Sequence, residues 1–148
     1  MGVKRQVGFT LIELIVVLAI LGLAYSLVPP LFSGALPSTE LKGATRQLAA
    51  GLRQARNAAV IGRTEAVLTL DVEKRAFTIS DNPRTFQLPR DVHLKLVTSK
   101  SEVIGDKLAA IRFYADGSSN GGRVTLSSGE RSFEVDVNWL TGRVAILG

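Results

Sequence analysis

Gly8-Phe9-Thr10-Leu11-Ile12-Glu13-Leu14 opens an apolar run that continues past Val28, and how that run is read decides the fold. A short leader carrying Lys4 and Arg5 precedes it and ends in glycine. The run holds one carboxylate, Glu13, near its start. A carboxylate costs roughly 2.5–3.5 kcal/mol at the centre of a bilayer, so one inside an apolar helix marks function and a specific partner. Twelve strongly apolar residues lie between Leu11 and Val28. At roughly −0.3 to −0.6 kcal/mol each, they outweigh the acidic side chain, which can also reach toward the headgroups. From Phe9 to Val28, at about 1.5 Å per residue, the helix matches the ~30 Å hydrocarbon core. Pro29-Pro30 is then expected to stop or kink the helix, because neither ring donates an amide hydrogen bond. Gly22 is a second weak point.

The position of the small residue argues for unusual processing. An ordinary secretory signal carries its small-x-small cleavage site after the apolar core, so the core is discarded. Here Gly8 precedes the core, and a cut between Gly8 and Phe9 would keep the membrane helix. Lys4 and Arg5 would hold the leader on the cytoplasmic side and send the C-terminal bulk across. Ala24-Tyr25-Ser26 also satisfies small-x-small and would release a soluble domain from Leu27, but that leaves Glu13 unexplained. The expected organisation is a leader at 1–8, a transmembrane and assembly helix at 9–30, and an exported domain at 31–148.

The chain has 148 residues and no cysteine, which excludes disulfides and thiol chemistry in the exported domain. Its net charge of +5 falls to +3 when Lys4 and Arg5 leave with the leader. That basicity reads first as solubility, and nucleic acid stays open only because phosphates require cations. After a connector at Leu31–Pro37, Ser38 is a suitable helix N-cap, with Glu40 in the first turn. Leu41, Ala44, Leu48, Leu52, Ala55 and Ala59 repeat at helical spacing, with Lys42, Arg46, Arg53 and Arg56 on the other side. That basic face reads as solvated or interfacial, and Gly62 as the helix stop. The helix is therefore expected at about 38–62 and strands at about 65–148. Alternation predicts a hairpin of Val67–Leu70 with Ala76–Ile79, a strand at Val92–Val97, and strands at Ile111–Tyr114, Arg123–Leu126, Ser132–Val137 and Arg143–Leu147. Pro83 and Pro89 mark a looser middle, and Ser99–Lys107 reads as a mobile loop. A helix followed by hairpin-linked strands is α+β, the helix covering an antiparallel sheet.

Catalysis finds no constellation here, and the chain does not read as an enzyme. His93 is the sole histidine and there is no cysteine for it to activate. Asp116-Gly117-Ser118-Ser119-Asn120-Gly121 matches the start of a calcium loop, but the twelfth place is Ser127 where a bidentate glutamate is needed. It reads as a flexible hairpin loop, and no metal or cofactor is expected. Trp139 reads as a core or sheet-edge anchor whose indole N–H should find an acceptor if buried.

The Gly8–Leu14 stretch resembles the N-terminal signature of type IV pilins and of type II secretion pseudopilins. The resemblance implies that a prepilin peptidase cuts after Gly8 and methylates the new N-terminus on Phe9. It also implies a pilin-like fold, in which a long N-terminal helix, membrane-embedded in its first half, packs on an antiparallel sheet. In that family the stretch between such a glycine and proline can extend when the subunit enters a filament. Ala55-Arg56-Asn57-Ala58-Ala59, Phe113–Gly122 and Trp139-Leu140-Thr141-Gly142-Arg143-Val144 resemble the H-type minor pseudopilins and related minor pilins. The expected role is assembly into the pseudopilus tip, helping drive folded exoproteins through the outer-membrane secretin. Implied partners are the minor pseudopilins I, J and K, the major pseudopilin and the inner-membrane assembly platform. The implied location is the inner membrane, single-pass, with the C-terminal domain in the periplasm. Glu13 would pair with the Phe9 amine of the subunit already in place. Tip-most K-type subunits lack that acidic residue, so Glu13 suggests a subunit added beneath another. The alternative is a minor type IV pilin serving as a DNA-uptake receptor. The C-terminus Arg143–Gly148, with one arginine, lacks the basic tail that such receptors tend to present.

Overall fold

A computed structural model describes residues 8–33, 36–97, 103–104 and 107–148, with side chains as far as 25 in the first helix and from 38 in the second. The chain divides into an N-terminal unit ending at Leu36 and a unit from Pro37 to Gly148.

In the first unit, α1 (Leu11–Ser33) is apolar on every side. Leu11, Ile12, Leu18, Ile20, Leu21 and Leu23 are all exposed within the chain itself. A helix apolar all round requires lipid or other helices for cover. Among the described residues no helix is long and apolar enough to cross a membrane. The part of α1 whose side chains are described, Leu11 to Tyr25, is about 22 Å long, short of a crossing. Of the two outcomes expected at Pro29-Pro30, a stop or a kink, the stop does not occur: the helix runs to Ser33. A proline within a helix loses one backbone hydrogen bond and crowds the carbonyl four residues back, a cost that apolar membrane helices tolerate when the freed backbone group is satisfied otherwise. The helix also passes through Gly22 without a break.

All of α2 (Leu36–Gly62) but its first residue belongs to the second unit, and the helix starts before the expected cap at Ser38. Pro37 suits the first turn, where its missing N–H would have no helical partner anyway. Glu40 consequently lies beyond the first turn. Leu41, Ala44, Leu48, Leu52, Ala55 and Ala59 are all buried, as their spacing predicts. Gly51 sits on the same face: a Cβ there would come within 2.5 Å of the Phe77 ring, so its absence lets helix and sheet approach closely. The helix stops at Gly62, but the left-handed residue after it is Arg63, with φ of 49°. The Thr64 N–H reaches back to the Ala59 carbonyl at 3.1 Å, closing a Schellman motif around an arginine where glycine is the unstrained choice. Arg63→Gly should therefore stabilise the protein by about 0.5–1 kcal/mol, because relief of the left-handed strain exceeds the added chain entropy. Thermal unfolding of the full chain in detergent would show this as a Tm raised by roughly 2–4 °C.

Among the described residues nine strands follow: β1 (Ala66–Asp71), β2 (Ala76–Ile79), β3 (Asn82–Gln87), β4 (His93–Val97), β5 (Val103–Ile104), β6 (Leu108–Phe113), β7 (Gly122–Ser128), β8 (Arg131–Val137) and β9 (Val144–Leu147). They form two antiparallel sheets rather than one, ordered β3-β2-β1-β6-β5 and β4-β7-β8-β9. The β1–β2 and β7–β8–β9 neighbours are those expected. Pro83, expected in a looser middle, lies within β3, an edge strand. An edge tolerates a residue without N–H because one side of the strand bonds no neighbour. β3 also contributes Phe86, stacked on Phe77 at 4.9 Å. Within the expected loop Ser99–Lys107, Val103–Ile104 pairs with β6 instead, and most of the remainder lies outside the described residues. One apolar cluster joins α2 to both sheets, through Leu68, Phe77, Ile111 and Phe113 from the first and Val124, Leu126, Val135 and Val137 from the second. Burying each such side chain contributes roughly 1.5–3 kcal/mol.

Candidate assembly site

Two places carry the residues singled out above. At the N-terminus, Gly8 is exposed and open on the side where a Cβ would stand, and Phe9 is 85% exposed. Thr10 caps α1: its carbonyl accepts from the N–H groups of Glu13 at 3.1 Å and Leu14 at 3.2 Å, and its Oγ1 accepts from Glu13 N–H at 3.3 Å. Thr10-Leu11-Ile12-Glu13 thus has the Thr-x-x-Glu spacing of a capping box, a signal present in the sequence that the reading above missed. Glu13 is exposed in the first turn, where the helix dipole favours a carboxylate. It is the only charged side chain of α1. An exposed acid at the head of an apolar helix can pair with a cation that approaches from another molecule.

The second place is the junction of the three stretches that resemble the H-type domain. They are remote in sequence, yet Arg56 ties them together. Its Nε donates to the Gly117 carbonyl and to the Thr141 carbonyl, each at 3.2 Å. One turn earlier, Arg53 Nη2 donates to the Val144 carbonyl at 3.4 Å. Within the face expected to be solvated or interfacial, Arg56 is thus half-buried and bonded inside the domain, while Lys42, Arg46 and Arg53 are exposed. Two glycines make room for it. Gly117 has φ of 86° and Gly142 φ of 62°, both left-handed. A Cβ at Gly142 would overlap the Gly117 carbonyl and come within 2.9 Å of Arg56 Nε.

The loop from Tyr114 to Gly121, expected to be flexible, is tethered throughout. Ser119 Oγ donates to the Arg112 carbonyl at 2.7 Å, and Asn120 Oδ1 accepts from Arg112 N–H at 2.9 Å. Ser119 N–H donates to the Trp139 carbonyl at 2.8 Å, joining this loop to the β8–β9 turn. The oxygens that suggested a calcium loop thus serve as hydrogen-bond partners within the protein. Asp116 accepts from Ser118 Oγ at 2.5 Å and from Ser118 N–H at 2.9 Å. The Ser118 hydroxyl, then its N–H, holds the Asp116 carboxyl below the usual aspartate range. A carboxyl that binds its proton less tightly when folded stabilises the fold fully above its unfolded pKa of about 3.9, and that contribution is lost as pH falls through the folded value. Wild type should accordingly lead Asp116→Ala in Tm at neutral pH, with the gap closing on acidification below about pH 4. A gap independent of pH would place the effect in packing rather than in this carboxylate.

Trp139 is not the anchor expected from its size. It is 66% exposed and Leu140 63% exposed, at the tip of a turn held by Asn138. Asn138 Oδ1 accepts from the N–H groups of Leu140 and Thr141, both at 3.0 Å. His93 is exposed on edge strand β4. Among the described residues no three acidic or histidine side chains are grouped to hold a metal ion.

Comparison with known proteins places these features. The family model described as Type II transport protein GspH matches residues 44–142, and the one described as Prokaryotic N-terminal methylation motif matches residues 3–24. The type II secretion system protein H of Xanthomonas campestris pv. campestris is 30% identical over 143 residues, spanning 96% of this chain and 84% of that protein. Among solved structures, the minor pseudopilin EpsH from the type 2 secretion system of Vibrio cholerae superposes with a TM-score of 0.59 at 12% identity, over 74% of this chain and 97% of that one. The type IV minor pilin FimU of Pseudomonas aeruginosa does so with a TM-score of 0.59 at 18% identity, over 75% of this chain and 90% of that one. At those identities the structural likeness shows the fold alone, which is α+β and pilin-like.

Proposed function

The chain belongs to the GspH family of type II transport proteins, and on that footing we propose that it is a minor pseudopilin that assembles into the tip of the secretion pseudopilus through its N-terminal helix. As a member of this family it is a structural pseudopilin that works with other pseudopilins and the secretion machinery. The observation that carries the proposal is Glu13, a lone exposed carboxylate on an otherwise apolar helix directly after a methylation-motif glycine.

The mechanism follows from charge. Prepilin peptidase cuts between Gly8 and Phe9, and the new α-amino group, near pKa 7.7–8.0 in isolation, is largely cationic at neutral pH and stays basic after methylation. Glu13 of an incoming subunit pairs with the Phe9 amine of the subunit already in place. Each charge is thereby neutralised in a medium where alone it would be penalised. The pair sets the axial offset of neighbouring helices, and packing of their apolar sides then holds the bundle. Before assembly the helix spans the inner membrane once, with the C-terminal domain in the periplasm. On the platform it joins the minor pseudopilins I, J and K above a shaft of major pseudopilin, and the tip helps push folded exoproteins through the secretin. The FimU likeness supports the shared fold.

Secretion by a strain lacking this gene tests the reading. The wild-type chain should restore export of folded exoproteins, whereas Glu13→Ala and Glu13→Gln should be inserted and cleaved normally yet restore little. Full restoration by both variants would leave Glu13 as local helix chemistry worth roughly 0.3–1 kcal/mol.

A further inference from the structure

We propose that the groove between α2 and the β8–β9 turn is a docking site for a carboxylate-bearing segment of a neighbouring subunit; this rests on the assembly reading above and assigns the surface used. The groove has a volume of about 440 Å³ and is lined by Arg53, Arg56, Asn57, Arg143 and the backbone turn at Thr141–Val144. Three arginines therefore line one concavity. Among the described residues the Arg53 and Arg56 side chains donate to carbonyl oxygens, and none of the three arginines has a carboxylate partner. By contrast Arg112 pairs with Glu65 at 2.8 Å, and Arg123 lies between Asp136 at 3.0 Å and Glu134 at 3.3 Å.

A guanidinium presents five donors in a planar fork, and Arg56 uses only Nε on the two carbonyls that fix its position. Its terminal nitrogens are held in place with donors to spare, which suits a carboxylate accepting two parallel bonds. Trp139 and Leu140 are exposed on the turn that also carries Thr141 and Arg143, so this turn offers apolar surface as well as charge. Tryptophan and arginine together are the residues most often found at protein–protein hot spots. The fitting occupant is a protein segment with an acidic side chain next to an apolar one.

The test co-expresses the full-length tagged chain with each of the minor pseudopilins I, J and K, and measures co-purification in mild detergent. The wild-type chain should retain at least one of them, less well as salt is raised. Arg143→Glu and Trp139→Ala should each reduce retention roughly tenfold, while Lys42→Glu, on the same helix away from the groove, should not. Arg143 and Trp139 are exposed, and equal Tm values would show that their variants fold; if one does not, the other carries the readout. The proposal is overturned if both folded variants co-purify as wild type does, if none of the three pseudopilins is retained by the wild-type chain, if the groove variants affect only self-association, or if duplex DNA competes at physiological salt. Processing and membrane insertion of Arg143→Glu should remain normal. Loss of this site would thus be distinguishable from failure of the assembly reading, which the Glu13 secretion assay decides.

Discussion

Gly8→Val should accumulate as a full-length precursor in the inner membrane, with no detectable mature chain. The effect is all-or-none because the glycine stands at the bond to be cut, and among the described residues the site is exposed and open around the missing Cβ. Wild type should yield a mature chain starting at N-methylated Phe9, lighter by the eight residues of the leader. Insertion should be unaffected, since α1 keeps its apolar side chains and Lys4 and Arg5 remain to orient it. Intact-mass spectrometry of the membrane fraction reads both forms. A chain beginning at Leu27 would mean that Ala24-Tyr25-Ser26 is the working site and that the domain is released, removing the basis for assembly through Glu13.

The largest effect on stability is expected at Gly142. Gly142→Val places a β-branched residue at φ of 62° and drives its Cβ into the Gly117 carbonyl and against Arg56 Nε. Left-handed strain and overpacking each cost roughly 1–3 kcal/mol, so a loss on the order of 3–5 kcal/mol is expected. That is a large share of the 5–15 kcal/mol typical of a domain. Gly129 supplies the control: it has φ of 60° but no atom within 4 Å of its would-be Cβ, so Gly129→Val should bear the backbone strain alone. Thermal or denaturant unfolding of the full chain would separate them. Equal losses at the two positions would mean that the junction of Gly117, Gly142 and Arg56 is not tightly packed.

What could be read from the sequence follows the range of the interactions involved. The buried stripe of α2 and the β1–β2 hairpin depend on residues a few positions apart, and periodicity exposes them. The partition into two sheets does not show this way, because it depends on β1 pairing with β6, with Ala66 opposite Phe113. Likewise Arg56 shares its spacing with Arg46 and Arg53, and nothing local distinguishes it. Its partners lie 61 and 85 positions downstream. Trp139 misleads for a different reason: size and apolarity favour burial, but Asn138 pins the turn so that this ring points outward. At the N-terminus the methylation motif and the Thr10 cap occupy the same residues, and the Thr-x-x-Glu spacing is a local signal.

The cap also sharpens the question about Glu13, since a carboxylate at the third helical position has a local reason to be there. Crosslinking in secreting cells separates the local role from the intermolecular one. The native sequence has no cysteine, so a cysteine at Leu14 and one in the corresponding helix of another minor pseudopilin report on that pair alone. With Glu13 present the disulfide-linked heterodimer should form readily. With Glu13→Ala it should fall by at least about tenfold, as expected for loss of a charge pair in a low-dielectric setting, while the amount of mature chain in the membrane is unchanged. Undiminished crosslinking together with wild-type secretion in the Glu13→Ala strain would contradict assembly through this carboxylate.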